Sequence, residues 1–151
     1  PVNFFKHKVA VSQPGRKDME VSDLIFADYA AANERNKFTL VGAGFNEIFT
    51  KKLPCMHPLM FILVRLKVTI KDIGKNRIEV RLVGEKGIIF KAEGDVDVSD
   101  DHRQEQHLAL PIQLQNIRFE TDGEYHCEVW VNGEQKQSHV LRIRLLEPQP
   151  K

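Results

Sequence analysis

The chain is poor in cysteine and tryptophan, with two and one in 151 residues. It also has no uninterrupted apolar run of about 18 residues and no helical apolar stripe over ten residues. The first scarcity excludes a disulfide framework. Cys55 lies in a Pro-flanked stretch and Cys127 inside a strand pattern, so both are read as reduced thiols. The second scarcity excludes a spanning helix and argues against an α/β fold, and the opening residues lack the apolar core and cleavage site of a secretory signal. A soluble, cytoplasmic protein without membrane contact is the expectation. Charge of one sign is also missing. Lys plus Arg total 22 against 21 Asp plus Glu, which removes the global field of a generic nucleic-acid or anionic-membrane binder.

What is present is alternation. From Ile62, apolar Ile62, Val64, Leu66, Val68 and Ile70 alternate with Arg65, Lys67 and Thr69, and a period of two means a strand with one buried face. The pattern recurs over 77–83, 90–98, 107–114, 125–131 and 139–145, with further strands expected at 24–32, 38–43 and 45–50. Short connections favour antiparallel neighbours, so the strands at 59–70, 77–83 and 88–98 should lie side by side. Pro111 removes a ladder donor and places its strand at an edge or a bulge. The expected fold is an all-β, antiparallel, immunoglobulin-like sandwich. At this length a domain buries about 68 to 70% of the surface its unfolded chain exposes and needs neither disulfide nor metal.

Residues 19–147 form the expected single domain. Residues 1–18 form a basic arm, an add-on or a remnant of expression, in which Lys6, Lys8, Arg16 and Lys17 outweigh Asp18. Its Val2–Val11 stretch has the composition to pair on a sheet edge. Residues 148–151 read as a flexible tail.

At the last hairpin, Tyr125, Cys127, Val129 and Val131 should face inward with Leu141, Ile143 and Leu145. A two-residue turn at Asn132-Gly133 would pair odd positions with even ones and turn Val140 and Arg142 inward, so a loop of three or five residues is expected.

Several residues carry candidate chemistry. Asp28, flanked by Phe26, Ala27, Tyr29 and Ala30, needs a partner if buried, and backbone N–H groups of the turn at Gly42–Gly44 would serve. It could also act as a general acid or base with Glu47 and His57 around the glycine bend, as in a small hydrolase or lyase. Cys55 and His57, in the hinge-like loop 51–58, are too few for a zinc site, and the other histidines are scattered without ligand spacing. As a nucleophile, Cys55 would need a base and an oxyanion donor set. Asp95, Asp97, Ser99 and Asp101 alternate as calcium ligands do, yet Asp100 stands where an EF-hand needs Gly and Gln106 where it needs Glu. Gly42-Ala-Gly44 leads into a strand rather than a helix, so it cradles no phosphate. No metal and no cofactor is expected.

Arg65, Lys67, Lys71, Arg77, Arg81 and Lys91 share the outward set of three strands, interleaved with Glu79 and Glu93 and without stacking aromatics. That reads as a mixed solvent face, with nucleic-acid binding the lesser alternative. Trp130 points outward, as do Val140 and Arg142 on the next strand. If adjacent, they make an apolar spot edged by Arg, the composition of an interface centre. A non-enzymatic binding or assembly module, joined to a protein partner or to itself, is therefore expected, with the glycine bend and loop 51–58 as a second surface.

Asp122-Gly-Glu-Tyr125-His-Cys127 resembles the tyrosine corner of immunoglobulin-like domains, although the spacing is one residue short and no partner cysteine precedes it. The resemblance implies that Tyr125 bonds backbone through its hydroxyl. From about Met19 to Leu146 the chain also resembles an uncharacterised family of short bacterial β-proteins, through Ala27-Asp-Tyr-Ala30, Gly42-Ala-Gly-Phe-Asn-Glu-Ile48 and Val131-Asn-Gly-Glu134. This implies bacterial origin and one domain, and it lends no catalytic residue.

Overall fold

The computed structural model describes residues 2–3, 19–100 and 105–147. Readings that fall on the remainder of the arm, on residues 101–104 and on the tail lie outside the described residues. The chain is all-β, with eleven strands: β1 (Val2–Asn3), β2 (Glu20–Ala27), β3 (Tyr29–Ala32), β4 (Phe38–Val41), β5 (Glu47–Thr50), β6 (Cys55–Thr69), β7 (Gly74–Gly84), β8 (Gly87–Val98), β9 (Glu105–Phe119), β10 (Gly123–Val131) and β11 (Glu134–Leu145). The one helical piece among the described residues is a 3-10 turn, Ile70–Asp72.

One sheet has the order β1-β8-β7-β10-β11-β5, a second β2-β6-β9, and β3-β4 form a two-stranded hairpin. Pairing is antiparallel except for β1 on β8 and β5 on β11, which are parallel and depart from the expected antiparallel scheme. The two larger sheets share one core. Alternate residues of β6 (Met60, Ile62, Val64, Leu66, Val68), β7 (Ile78, Val80, Leu82) and β10 (Tyr125, Cys127, Val129, Val131) meet there, with Phe26, Phe119 and Leu141 among its largest members. The expected parity holds over these stretches and fails at two ends. Ile70 is 61% exposed because the strand has already turned into the 3-10 helix, and Leu145 is 45% exposed at the last rung of β11.

β6 and β7, expected as neighbours, belong to different sheets. The short connection changes sheets because a local polar cluster holds the corner. Fully buried Asp72 accepts the Thr69 N–H at 2.8 Å, and the Asn76 amide donates to the carbonyls of Asp72 and Gly74. Asn132 joins from the β10–β11 turn, donating to Asn76 Oδ1 at 3.0 Å and accepting the Arg77 N–H at 2.9 Å. Such pairing is what makes buried polar groups tolerable; one oxygen of Asp72, Oδ1, has no hydrogen-bond partner among the described residues.

The stretch 24–32, expected as one strand, breaks at Asp28, and its second half leaves the sheet to become β3. Hairpin β3–β4 then lies over the far face of β6 and β9. Ala30 and its neighbours Ala32 and Leu40 pack on Phe61, Leu63 and Ala109, a second small core. Five consecutive residues of β6, Met60 to Val64, are therefore buried, and alternation is lost where both faces are covered.

The last hairpin corrects its expected loop. Val131 pairs with Glu134 across a two-residue Asn132-Gly133 turn, both with positive φ (50° and 81°), the geometry that matches strand twist. Parity is restored by a bulge one rung later, where Val129 pairs with Gln137 while Trp130 pairs with Gln135. Lys136 is the extra residue, and it returns Leu141 and Ile143 to the core. Pro111 lies on β9, which is an edge strand, as expected.

Candidate functional site

The glycine bend is built by backbone rather than by carboxylate. The Asp28 N–H donates to the carbonyls of Val41 and Gly42, and the Gly44 N–H to the carbonyl of Phe26. Gly42 has φ +58° and a Cβ there would collide with the Asp28 side chain, so glycine is required twice over. The Asp28 carboxylate, expected to accept those N–H groups, is instead on an exposed residue. Its charge reaches His57: burial lowers the His57 pKa below its usual value, opposed by Asp28 and by a hydrogen bond with the Leu59 backbone. Glu47 stands apart from this pair, bound to Arg144 at 2.8 Å. Of the three candidate acid–base residues, the structure brings two within electrostatic reach and ties the third to an arginine.

The 51–58 loop is shorter than expected, because β6 already starts at Cys55. Cys55 is half-buried against the core and faces Phe119 across the ladder; His57 faces Ile117. Cys127 is fully buried, and burial, with Glu128 nearby, pushes its thiol up to about 12, too high for a thiolate nucleophile at neutral pH. Asp95 is engaged by Lys75 and Arg77. No group of three or more His, Cys, Asp and Glu side chains is placed to hold a metal among the described residues.

The three proposed anchors on β10 and β11 are not one spot. Val140 lies opposite His126, four residues from Trp130 along β10, about 13 Å away at 3.3 Å per residue. Trp130 is half-buried under Arg81, whose guanidinium carbon stacks 4.4 Å above the ring, and its indole N–H donates to Glu128 at 3.0 Å. Arg142 pairs with Glu124 at 3.1 Å. The basic side chains are likewise divided. Arg65 and Lys67 belong to β6, and Arg77, Arg81 and Lys91 to the other sheet, where Glu79, Glu93 and Asp95 pair with them.

Exposed apolar groups gather instead at the foot of hairpin β3–β4. Tyr29 (48% exposed) lies opposite Val41 (54%). The Tyr29 ring meets Phe61 edge-on at 5.3 Å, and exposed Leu59 is two residues from Phe61 on β6. Tyr29 and Val41 carry no motif of their own that marks them as site residues. The signal was the unbroken apolar run 59–64, which needs a cover on both faces, and a four-residue cover strand has its own outer side.

The Tyr125 hydroxyl donates to the Thr121 carbonyl at 2.8 Å, and its ring stacks edge-on with Phe119 at 4.9 Å. It serves the fold.

A model described as "Family of unknown function (DUF6941)" matches residues 22–144. No curated protein matches the chain. Among solved structures, a Pseudomonas fluorescens alkylpurine DNA glycosylase, AlkC, bound to DNA containing an abasic site analog is 17% identical, with a TM-score of 0.38 over 66% of this chain and 28% of that one. A Listeria innocua β-glucosidase in complex with isofagomine is 10% identical, with a TM-score of 0.46 over 87% of this chain and 17% of that one. The chain thus spans well under a third of either protein.

Proposed function

Because the chain belongs to that family, whose description assigns no activity, we propose from its own surface a non-enzymatic binding or assembly module that works through protein–protein contacts on an immunoglobulin-like scaffold. The observation that carries this reading is the exposed apolar group of Tyr29 and Val41, on a hairpin whose inner side is already packed, with Leu59 on β6. Leaving such side chains wet is unfavourable, by about 25 cal/mol per Å² of apolar surface, and clustered exposure of this kind marks interaction sites. For the scaffold, two sheets around one core and the Tyr125 hydrogen bond at the start of β10 support the immunoglobulin-like comparison.

Tyr29 is the expected anchor. In a native pull-down with mass measurement, Tyr29→Ala should weaken capture of a partner protein by about 2 kcal/mol or more, while Val140→Ala should leave it unchanged. Equal capture by the Tyr29 variant would count against this surface.

The proximity of Asp28 and His57 supports a second reading, a small hydrolase or lyase site at the glycine bend. A hydrolytic activity on a panel of model esters, lost in His57→Gln and retained in Glu47→Gln, would favour it over the binding module.

A further inference from the structure

The second sheet ends in β9, fifteen residues long, and its outer side, which no described strand pairs with, is guarded unevenly. The Ala109 N–H donates to Asn36 Oδ1 at 3.4 Å. Asn36 sits on the β3–β4 loop, so this N–H points away from β6. Donors and acceptors alternate along a strand, so Pro111, Gln113 and Gln115 point the same way. The Pro111 position then costs no bond to β6 and removes one donor from the outer side. Beyond Gln115 the strand bends, with Asn116 at φ 53° and inward positions switching from even Leu114 to odd Ile117 and Phe119. Between the Asn36 cap and the Asn116 bend, the Gln113 and Gln115 N–H groups and the Pro111 and Gln113 carbonyls face outward. They border an open groove whose other wall is Ile89, Phe90 and Ala92 of β8.

Other sheet margins carry charge or are short. β2 has Glu20 and Asp23, β8 carries Lys91, Glu93 and Asp95 and is met by β1 at Ala92 and Glu93, and β5 is four residues long. Residues 106–117 of β9 contain no Asp, Glu, Lys or Arg. A long uncharged edge is the template for strand addition that proteins otherwise guard against.

We propose that β9 pairs antiparallel with β9 of a second copy of this chain, about a two-fold axis at Gln113. A strand of like charge would be repelled by itself, whereas this one is neutral. The pattern is also self-complementary. Gln113 and Gln113 of the second copy exchange both hydrogen bonds, and each Gln115 N–H meets the Pro111 carbonyl opposite, so the missing proline donor falls at the rim. The two-fold sets the capped end of one strand against the bent end of the other, confining the pairing to 111–115. A continuous sheet then runs through both copies, with the closed symmetry of an isologous dimer. This inference rests on the reading of the chain as an assembly module, and its seam adjoins the Tyr29 patch, because Gln113 and Gln115 lie opposite Phe61 and Leu59 in the β6–β9 ladder; the two are told apart by occupant, a second copy here and a foreign protein there.

The test exploits the register, in which position 113 faces itself. Gln113 is exposed, so charge can be placed there without disturbing the core. By sedimentation, the native chain should be a dimer. Gln113→Lys and Gln113→Glu should each weaken dimerisation by about tenfold or more through like charges directly opposite, and mixing the two should restore dimers that native mass measurement identifies as one copy of each. The circular dichroism spectra of both variants should match that of the native chain, which shows that the fold is kept; their unfolding temperature should fall by no more than the amount that dimerisation adds to the native chain. A native chain that remains monomeric overturns the proposal, whether the edge then takes another protein's strand or residues 1–18. So does undiminished dimerisation of either variant, or a mixture without mixed dimers. The binding-module reading would survive those results, because its own failure is read at Tyr29 with a foreign partner.

Discussion

The two larger sheets share a core, and their outer faces solve opposite problems. On β7 and β8 the outward positions are charged and paired with each other: Arg77 with Glu93 at 3.0 Å, Arg81 with Glu79 at 2.7 Å, and Lys91 with Glu93 at 3.5 Å. On β6 and β9 the outward positions include Phe61, Leu63 and Ala109, covered by hairpin β3–β4. The first face stays wet and leaves strict alternation in the chain. The second is dry and erases alternation for five residues. A strand's pattern thus reports what covers its faces more directly than which sheet it joins.

The largest expected effect distinguishing these faces is at Leu63, fully buried although it points away from the shared core. Leu63→Ala should cost about 2 to 5 kcal/mol in urea unfolding; a loss below about 1 kcal/mol would mean that the hairpin is a loose cover. Next comes the bend that launches this cover. Gly42→Ala forces a side chain onto a positive φ and against Asp28, and should cost about 1 to 2 kcal/mol. Pairing it with Asp28→Gly should recover the steric part only, leaving the backbone part.

The charged face should respond far less. A double-mutant cycle on Arg77 and Glu93 should give a coupling far below the Leu63 effect, and one that shrinks in salt. A larger, salt-independent value would make the wet face as structural as the dry one. The smallest effect is at His57. Its pKa is lowered in the fold by burial, partly offset by Asp28 and by the Leu59 backbone, so the unfolded chain binds its proton first as pH falls. Stability from this group is present above about pH 6.5 and declines below it towards the folded pKa. His57→Gln should flatten the stability profile there, and Asp28→Asn should steepen it, because removing the opposing charge lowers the folded pKa further.

Much of the core was readable from single strands. Ile62, Val64, Leu66 and Val68, the odd set of β10, and Leu141 and Ile143 are all buried, because period two is a local property of a pleated chain. The edge placement of β9 was readable from Pro111 for a similar reason. The β10–β11 turn departs from the expected three or five residues because a bulge at Lys136 satisfies parity and the two-residue Asn132-Gly133 turn together. The candidate site was less legible. Trp130 faces outward as expected, but Arg81 of the neighbouring strand covers it rather than Arg142, and the sequence does not say which strand will be the neighbour.

By itself, the sequence determined the all-β class, most of the inward residues and the edge position of the Pro111 strand, since these follow from steric alternation and from residues such as proline acting within a few positions. Tertiary structure alone decided that β6 and β7 part company, that β3–β4 folds back as a cover, that Asp28 approaches His57 while Glu47 goes to Arg144, and that no described strand pairs with the outer side of β9. Those outcomes depend on contacts between segments tens of residues apart, where burial free energy is set by which surfaces meet and no local rule specifies the match.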